Sequence, residues 1–225
     1  MINFDEMIDN HLKRENRPKG IGRYFPSEIG SCMRKTWYTY KYPVEIEPRL
    51  LKVFEVGNIM HDFVVEVLKS EKNPHIELLK SEFPFKEEVE DFTISGRVDN
   101  LILVKSDNQQ LLVEVKSTAS IDHVREASPH NVVQLQLYMH SLGVHDGILL
   151  YIDKRDLRTR LFEIKYNEME AKAIIERFKR LHSHLKNDKI PEPEARAIHE
   201  TLWMCRYCEY RDKCYAETPK SEKWL

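Results

Sequence analysis

Two acidic residues and a lysine are spaced to share one face of a β-hairpin. Asp99 lies in the run Ile94–Val104, and Glu114-Val115-Lys116 lies in the run Leu111–Ser117. Strand geometry puts residues i and i+2 on one side, so Glu114 and Lys116 point together while Val113 and Val115 point to an opposite, apolar side. With Lys105–Gln110 as the loop and Val104 paired with Leu111, Asp99 falls opposite Lys116 and diagonal to Glu114. Two carboxylates supply hard oxygen ligands for Mg²⁺ or Mn²⁺. An ion held there polarises a phosphate, lowers the pKa of a bound water and offsets charge on a leaving oxygen. A lysine beside it holds the attacking water and stabilises charge developing on the phosphate. The same three residues also describe an ion-pair ladder across a surface hairpin, so the pattern needs companions.

Two companions are present. His61 follows Gly57 by one turn of a helical stretch, where a neutral imidazole can complete a metal shell and the missing side chain lets the helix approach another backbone. Gln134 and Tyr138 are spaced i, i+4 and share a helix face, so an amide and a phenol can meet the same site. Each has an ordinary structural explanation when taken singly. The ordered set Gly57-x-x-x-His61, Gly96-x-x-Asp99, Glu114-x-Lys116, Gln134-x-x-x-Tyr138 carries the weight.

The chain has four cysteines: Cys32 alone, and Cys205-x-x-Cys208-x5-Cys214 near the other end. No export signal opens the sequence, which points to the cytoplasm, where thiols stay reduced and metal ligation is favoured over disulfides. Four thiolates suit either Zn²⁺ or a [4Fe–4S] cluster, and one distant cysteine plus three close ones departs from the paired spacing of zinc fingers.

The elements that position these residues are read from periodicity. Helices are predicted over Asp5–Arg14, from Ser27 toward Tyr40, over Arg49–Ser70, over His130–Leu142 with Gly143 as its stop, and from Asn167 to about Asp188. Strands are predicted at Glu82–Lys86, an edge strand because it holds Pro84, and at Ile94–Val104, Leu111–Ser117, Gly147–Ile152 and Arg160–Lys165. This order predicts an α/β fold with a mixed sheet and helices packed on its faces.

The 225 residues are read as one domain, with its core about 45–188 and a cap formed by about 25–42 and 195–217. A formal net charge of −2 excludes no partner, because only a local face need be basic. Eight basic residues and two acids occupy Lys13–Lys41. Within it Arg34, Lys35, Trp37, Tyr38, Tyr40, Lys41 and Tyr42 alternate cations and rings, a mixture that suits single-stranded nucleic acid, although about half of these rings are expected in the core. Arg97, Lys154, Arg155, Arg158 and Arg160 are weaker candidates for phosphate contact. No apolar run is long enough to cross a bilayer.

The ordered set resembles RecB-type nucleases of the PD-(D/E)XK superfamily. That resemblance implies a restriction-endonuclease-like fold. It makes His61, Asp99, Glu114 and the Val115 carbonyl the metal ligands, Lys116 catalytic, and Gln134 and Tyr138 supports for the site and the DNA. Val98 stands where the family's motif name has proline, a frequent departure. The cysteine spacing is similar to that of the iron–sulfur nucleases, which implies a [4Fe–4S] cluster on Cys32, Cys205, Cys208 and Cys214. No phosphate-binding Walker loop is present, so the stand-alone CRISPR-associated exonucleases of the fourth Cas family fit best. They imply exonuclease action on single-stranded DNA or DNA ends, often 5′ to 3′ and with some endonuclease cutting, in spacer acquisition beside the CRISPR integrase. A repair, recombination or viral RecB-like nuclease is the alternative enzyme. A non-catalytic iron–sulfur DNA-binding or assembly factor is the alternative of another class, against which Asp99, Glu114 and Lys116 stand intact.

Overall fold

The computed structural model describes residues 2–15 and 18–217. Its centre is the expected hairpin, β3 (Phe92–Val104) and β4 (Gln109–Thr118). The register is tighter than the sequence reading: Val104 pairs with Gln109 and Asn100 with Val113, leaving a loop over 105–108. Asn108 closes it with a φ of 55°, a left-handed conformation that asparagine adopts more readily than most side chains. The shift is two residues, an even number, so every side chain keeps its predicted face. Continued past its last pair, this register brings Asp99 level with Glu114 rather than with Lys116.

Six strands form one mixed sheet in the order β1-β3-β4-β5-β6, with β2 on the free side of β3. β1 is the short Arg23–Tyr24, β5 is Asp146–Asp153 and β6 is Thr159–Lys165. β4 and β5 run parallel; β3–β4 and β5–β6 are antiparallel. β2 spans Ile76–Val89, longer than the predicted Glu82–Lys86. Its first half hides from a period-two reading because the register shifts between Leu78 and Lys80. Pro84 sits in this edge strand as expected, opposite Arg97.

Helices cover both faces. α4 (Pro48–Lys69) lays Met60, Phe63 and Val64 on Val113, Val115 and Ile152. α5 (Pro129–Leu142) and α6 (Glu168–Lys186) cover the other face, where Leu135, Leu137, Phe178 and Leu181 meet Leu112 and Leu149. Gly143 ends α5 at a φ of 65°, and the Asn167 side chain caps α6 by accepting from the amides of Met169 and Glu170. α1 (Phe4–Leu12) leans on α4.

The helix predicted from Ser27 to Tyr40 is two helices, α2 (Pro26–Ile29) and α3 (Met33–Lys41), broken at residues 30–32. At the break α2 packs closely on α5: a Cβ on Gly30 would stand 2.4 Å from His130 Nδ1 and 2.8 Å from His130 Cα. The break frees backbone groups that distant side chains satisfy. Arg177 donates to the Ile29 and Ser31 carbonyls at 3.0 and 2.9 Å, and Glu194 accepts from the Met33 amide at 2.6 Å. Gly30→Ala is therefore expected to cost roughly 1–3 kcal/mol, read as a lower urea midpoint. An unchanged midpoint would show that α2 can move away from α5 freely.

Candidate active site

The site is built where the hairpin opens. Pairing of β3 with β4 stops at Asn100–Val113, and β1 takes up that side of β3 only at residues 93–94. Backbone groups in the gap must find other partners. Asp99 Oδ2 accepts from the Val115 amide at 2.8 Å, and the Tyr138 hydroxyl donates to the Arg97 carbonyl at 3.0 Å. From Tyr138 the bonds run on: Gln134 Nε2 donates to its hydroxyl at 3.0 Å, and Lys116 Nζ donates to Gln134 Oε1 at 3.1 Å and to Glu114 Oε1 at 2.7 Å. Gln134 and Tyr138 thus fix the lysine to the strand gap.

His61 reaches the same place from α4. Its Nδ1 lies 3.4 Å from Asp99 Oδ2 and 4.0 Å from Glu82 Oε1. Ligand atoms of His61, Glu82 and Asp99 all fall within 4.8 Å of one another. Glu82 is the residue the sequence reading missed as a ligand. The pairs Ser81–Asn100 and Phe83–Val98 put it across from Asp99 on the edge strand, a register the irregular start of β2 conceals. Gly57 plays a different part from the one expected: a Cβ there would meet the Ser117 hydroxyl at 3.4 Å and no backbone.

The electrostatics follow from burial. Glu114 is 2% exposed, and burial first, then the charge of Asp99, push its carboxyl up to about 7 against the pull of Lys116. Its Oε2 is buried without a hydrogen-bond partner among the described residues. Burial alone would lower the pKa of His61, but Asp99 and then Glu114 reverse this and raise it. Lys116 behaves likewise, its desolvation outweighed by Glu114, so its pKa is raised and it stays charged. The clustered ligand atoms of His61, Glu82 and Asp99, two hard oxygens with one imidazole, suit Mg²⁺ or Mn²⁺.

The cysteines gather elsewhere. Cys32 lies at the start of α3, Cys205 in α8 (Trp203–Arg206), Cys208 just beyond it and Cys214 in α9 (Arg211–Glu217). All four line one cavity, together with Arg34, Lys35, Arg196 and Arg211. Arg34 Nη1 points at Cys214 Sγ from 3.9 Å. Burial pushes the Cys205 and Cys208 thiols up.

The expected nucleic-acid residues divide. Trp37, Tyr38 and Tyr40 are buried in the main core and offer no ring to a base; Tyr42 is exposed, with Lys213 Nζ 4.1 Å over its ring. Arg155 is held by both oxygens of Asp153, and Arg158 by both oxygens of Asp122. These surface arginines complete loop ion pairs, which charge counting along the sequence cannot distinguish from phosphate contacts. Arg97 remains beside the site, 3.4 Å from Glu82 Oε2.

A sheet opened by a carboxylate, with Glu-x-Lys on the neighbouring strand, defines a class of hydrolase. The chain belongs to the PD-(D/E)XK nuclease superfamily, whose sequence model matches residues 27–215. Members of that superfamily use divalent metals such as Mg²⁺ or Mn²⁺. Among curated proteins no significant sequence match is found. Among solved structures, SSO0001 is similar at a TM-score of 0.63 and 22% identity, over 94% of this chain and 93% of that one. The alkaline exonuclease LHK-Exo of Laribacter hongkongensis, in complex with dAMP, is similar at 0.53 and 13% identity, over 75% and 90%. A phage-related exonuclease of Haemophilus somnus 129PT gives 0.50 and 12% identity, over 80% and 99%. At these identities the likeness is one of fold. Among the described residues no helix is long and apolar enough to cross a membrane.

Proposed function

We propose that the chain is a metal-dependent exonuclease of single-stranded DNA or DNA ends that also carries a [4Fe–4S] cluster and acts in CRISPR spacer acquisition. The observation that carries the catalytic part is the convergence of Asp99, Glu114, Lys116, Gln134, Tyr138 and His61 on the gap between β3 and β4. In this reading His61, Asp99 and Glu114 hold the ion with the Val115 carbonyl, and Glu82, whose ligand atom lies within 4.8 Å of those of His61 and Asp99, adds an oxygen donor. When bound, the ion supplies Lewis acidity toward the phosphate and a more acidic water. Lys116, charged and aimed by Gln134, holds the attacking water and stabilises the developing phosphate charge. Tyr138 keeps Gln134 in place through its hydroxyl.

The cluster assignment is supported by one cavity that gathers all four cysteines under four basic side chains, a suitable setting for an anionic cluster. The cysteine tail also stands against α3 through the Lys35–Glu209 pair at 2.9 Å and the Tyr210 hydroxyl on the Tyr42 carbonyl at 2.9 Å.

Two measurements test this reading. A 5′-labelled and a 3′-labelled single strand with Mn²⁺ should shorten stepwise from the 5′ end; internal cuts ahead of end removal would overturn the exonuclease assignment. Anaerobically purified protein should be coloured and hold about four irons per chain; stoichiometric zinc with no colour would remove the cluster. Co-purification with an integrase separates the CRISPR role from repair or viral work.

A further inference from the structure

A groove that the metal-site residues do not line adjoins the cysteine cavity, with which it shares Cys32, Lys35 and Met204. It encloses about 300 Å³ and is lined by Ser31, Lys35, Ser128, His130, Trp203 and Tyr207, among others. None of the described residues lining it is a carboxylate. Two of its rings are left in water: Trp203 is 54% exposed and Tyr207 81%. Its cation, Lys35, pairs with Glu209 at 2.9 Å, both side chains being about a third exposed. A pair so placed contributes little by itself, and a phosphate can replace the carboxylate. His130, which also lines the groove, precedes Gln134 by one turn of α5, and Gln134 Oε1 is the acceptor 3.1 Å from Lys116 Nζ.

We propose that a single strand of DNA runs along this groove toward Lys116, its bases stacking on Trp203 and Tyr207 and its backbone passing Lys35. The inference rests on the nuclease reading and adds to it the surface that delivers the substrate. Exposed ring faces bind unpaired bases of any sequence, because every base has a π face, while a duplex keeps its bases stacked inside. Lys35, freed from its partly exposed pair with Glu209, follows the phosphates. The segment interleaved with aromatics in the sequence, Trp37 to Tyr42, gives most of its rings to the core; the rings that reach solvent beside the site come from the cysteine tail.

The test is binding of a labelled 15-nucleotide single strand, followed by fluorescence anisotropy with Ca²⁺ present so that nothing is cut. Trp203→Ala and Tyr207→Ala should each weaken binding about tenfold. Trp203→Phe should restore most of the affinity, and melting temperatures should stay with the parent. An abasic strand of equal length should bind the parent and the alanine variants alike, because the phosphates remain and the bases do not. Lys35→Ala should reduce the slope of log K against log salt by about one. Unchanged affinity in both alanine variants would overturn the proposal, as would equal losses with duplex or abasic strands. Because binding is read without turnover, a protein that binds the strand and hydrolyses nothing fails the nuclease reading while the ring variants still decide the groove.

Discussion

Asp99→Ala is expected to lower DNA hydrolysis by on the order of 10³-fold or more, while the sheet stays folded. Asp99 makes two kinds of contact that no other residue replaces. Its Oδ2 accepts from the Val115 amide at 2.8 Å where β4 has lost β3, and the same oxygen faces His61 Nδ1 at 3.4 Å. Truncation would remove the proposed ligand and let Val115 drift, so geometry and charge would fail together. The stability cost is smaller. The lost hydrogen bond to a buried amide is worth roughly 1–3 kcal/mol, and removing Asp99 relieves the repulsion that helps hold the Glu114 carboxyl near 7. Cleavage of a labelled single strand with Mn²⁺, beside a thermal melt of both proteins, checks this. Equal activity in parent and variant would remove the site assignment.

If the proposed cluster is present, Cys208→Ala is expected to lose it and about 10 °C or more of melting temperature, with activity falling as a consequence. The cysteines join residue 32 to residues 205–214, so a cluster on them closes a loop around nearly the whole chain. Ligation of this kind is coupled to folding, because the unfolded chain has no site to offer. Protein contacts alone hold the same two segments in part: Glu194 receives Arg177 and the Met33 amide, and Arg34 donates to the Pro191 carbonyl at 2.6 Å. The variant should thus keep residual structure in the sheet while the tail from residue 203 loosens. A variant that melts with its parent would show that the cluster does not staple the fold.

Much of the fold was legible because its periodicities are clean. α4, α5 and α6, with the Gly143 stop and the Asn167 cap, follow from apolar spacing and end signals. The hairpin faces were legible too, since Val113 and Val115 are apolar and Glu114 and Lys116 are not. What stayed hidden depends on contacts distant in sequence. The close packing of Gly30 on His130, about a hundred residues away, is a contact that no local pattern announces. Glu82 takes its place in the site from a strand register interrupted at Leu78–Lys80. Trp37, Tyr38 and Tyr40 look like a nucleic-acid surface by composition and prove to be core, because composition does not say which way a short helix faces.

Anomalous scattering from crystals grown with Mn²⁺ tests the account at its centre. The predicted result is an anomalous peak in the opening between β3 and β4, bonded to His61, Asp99 and Glu114. A protein that cleaves DNA with Mn²⁺ but shows the ion bound elsewhere, with these three side chains unligated, would contradict it.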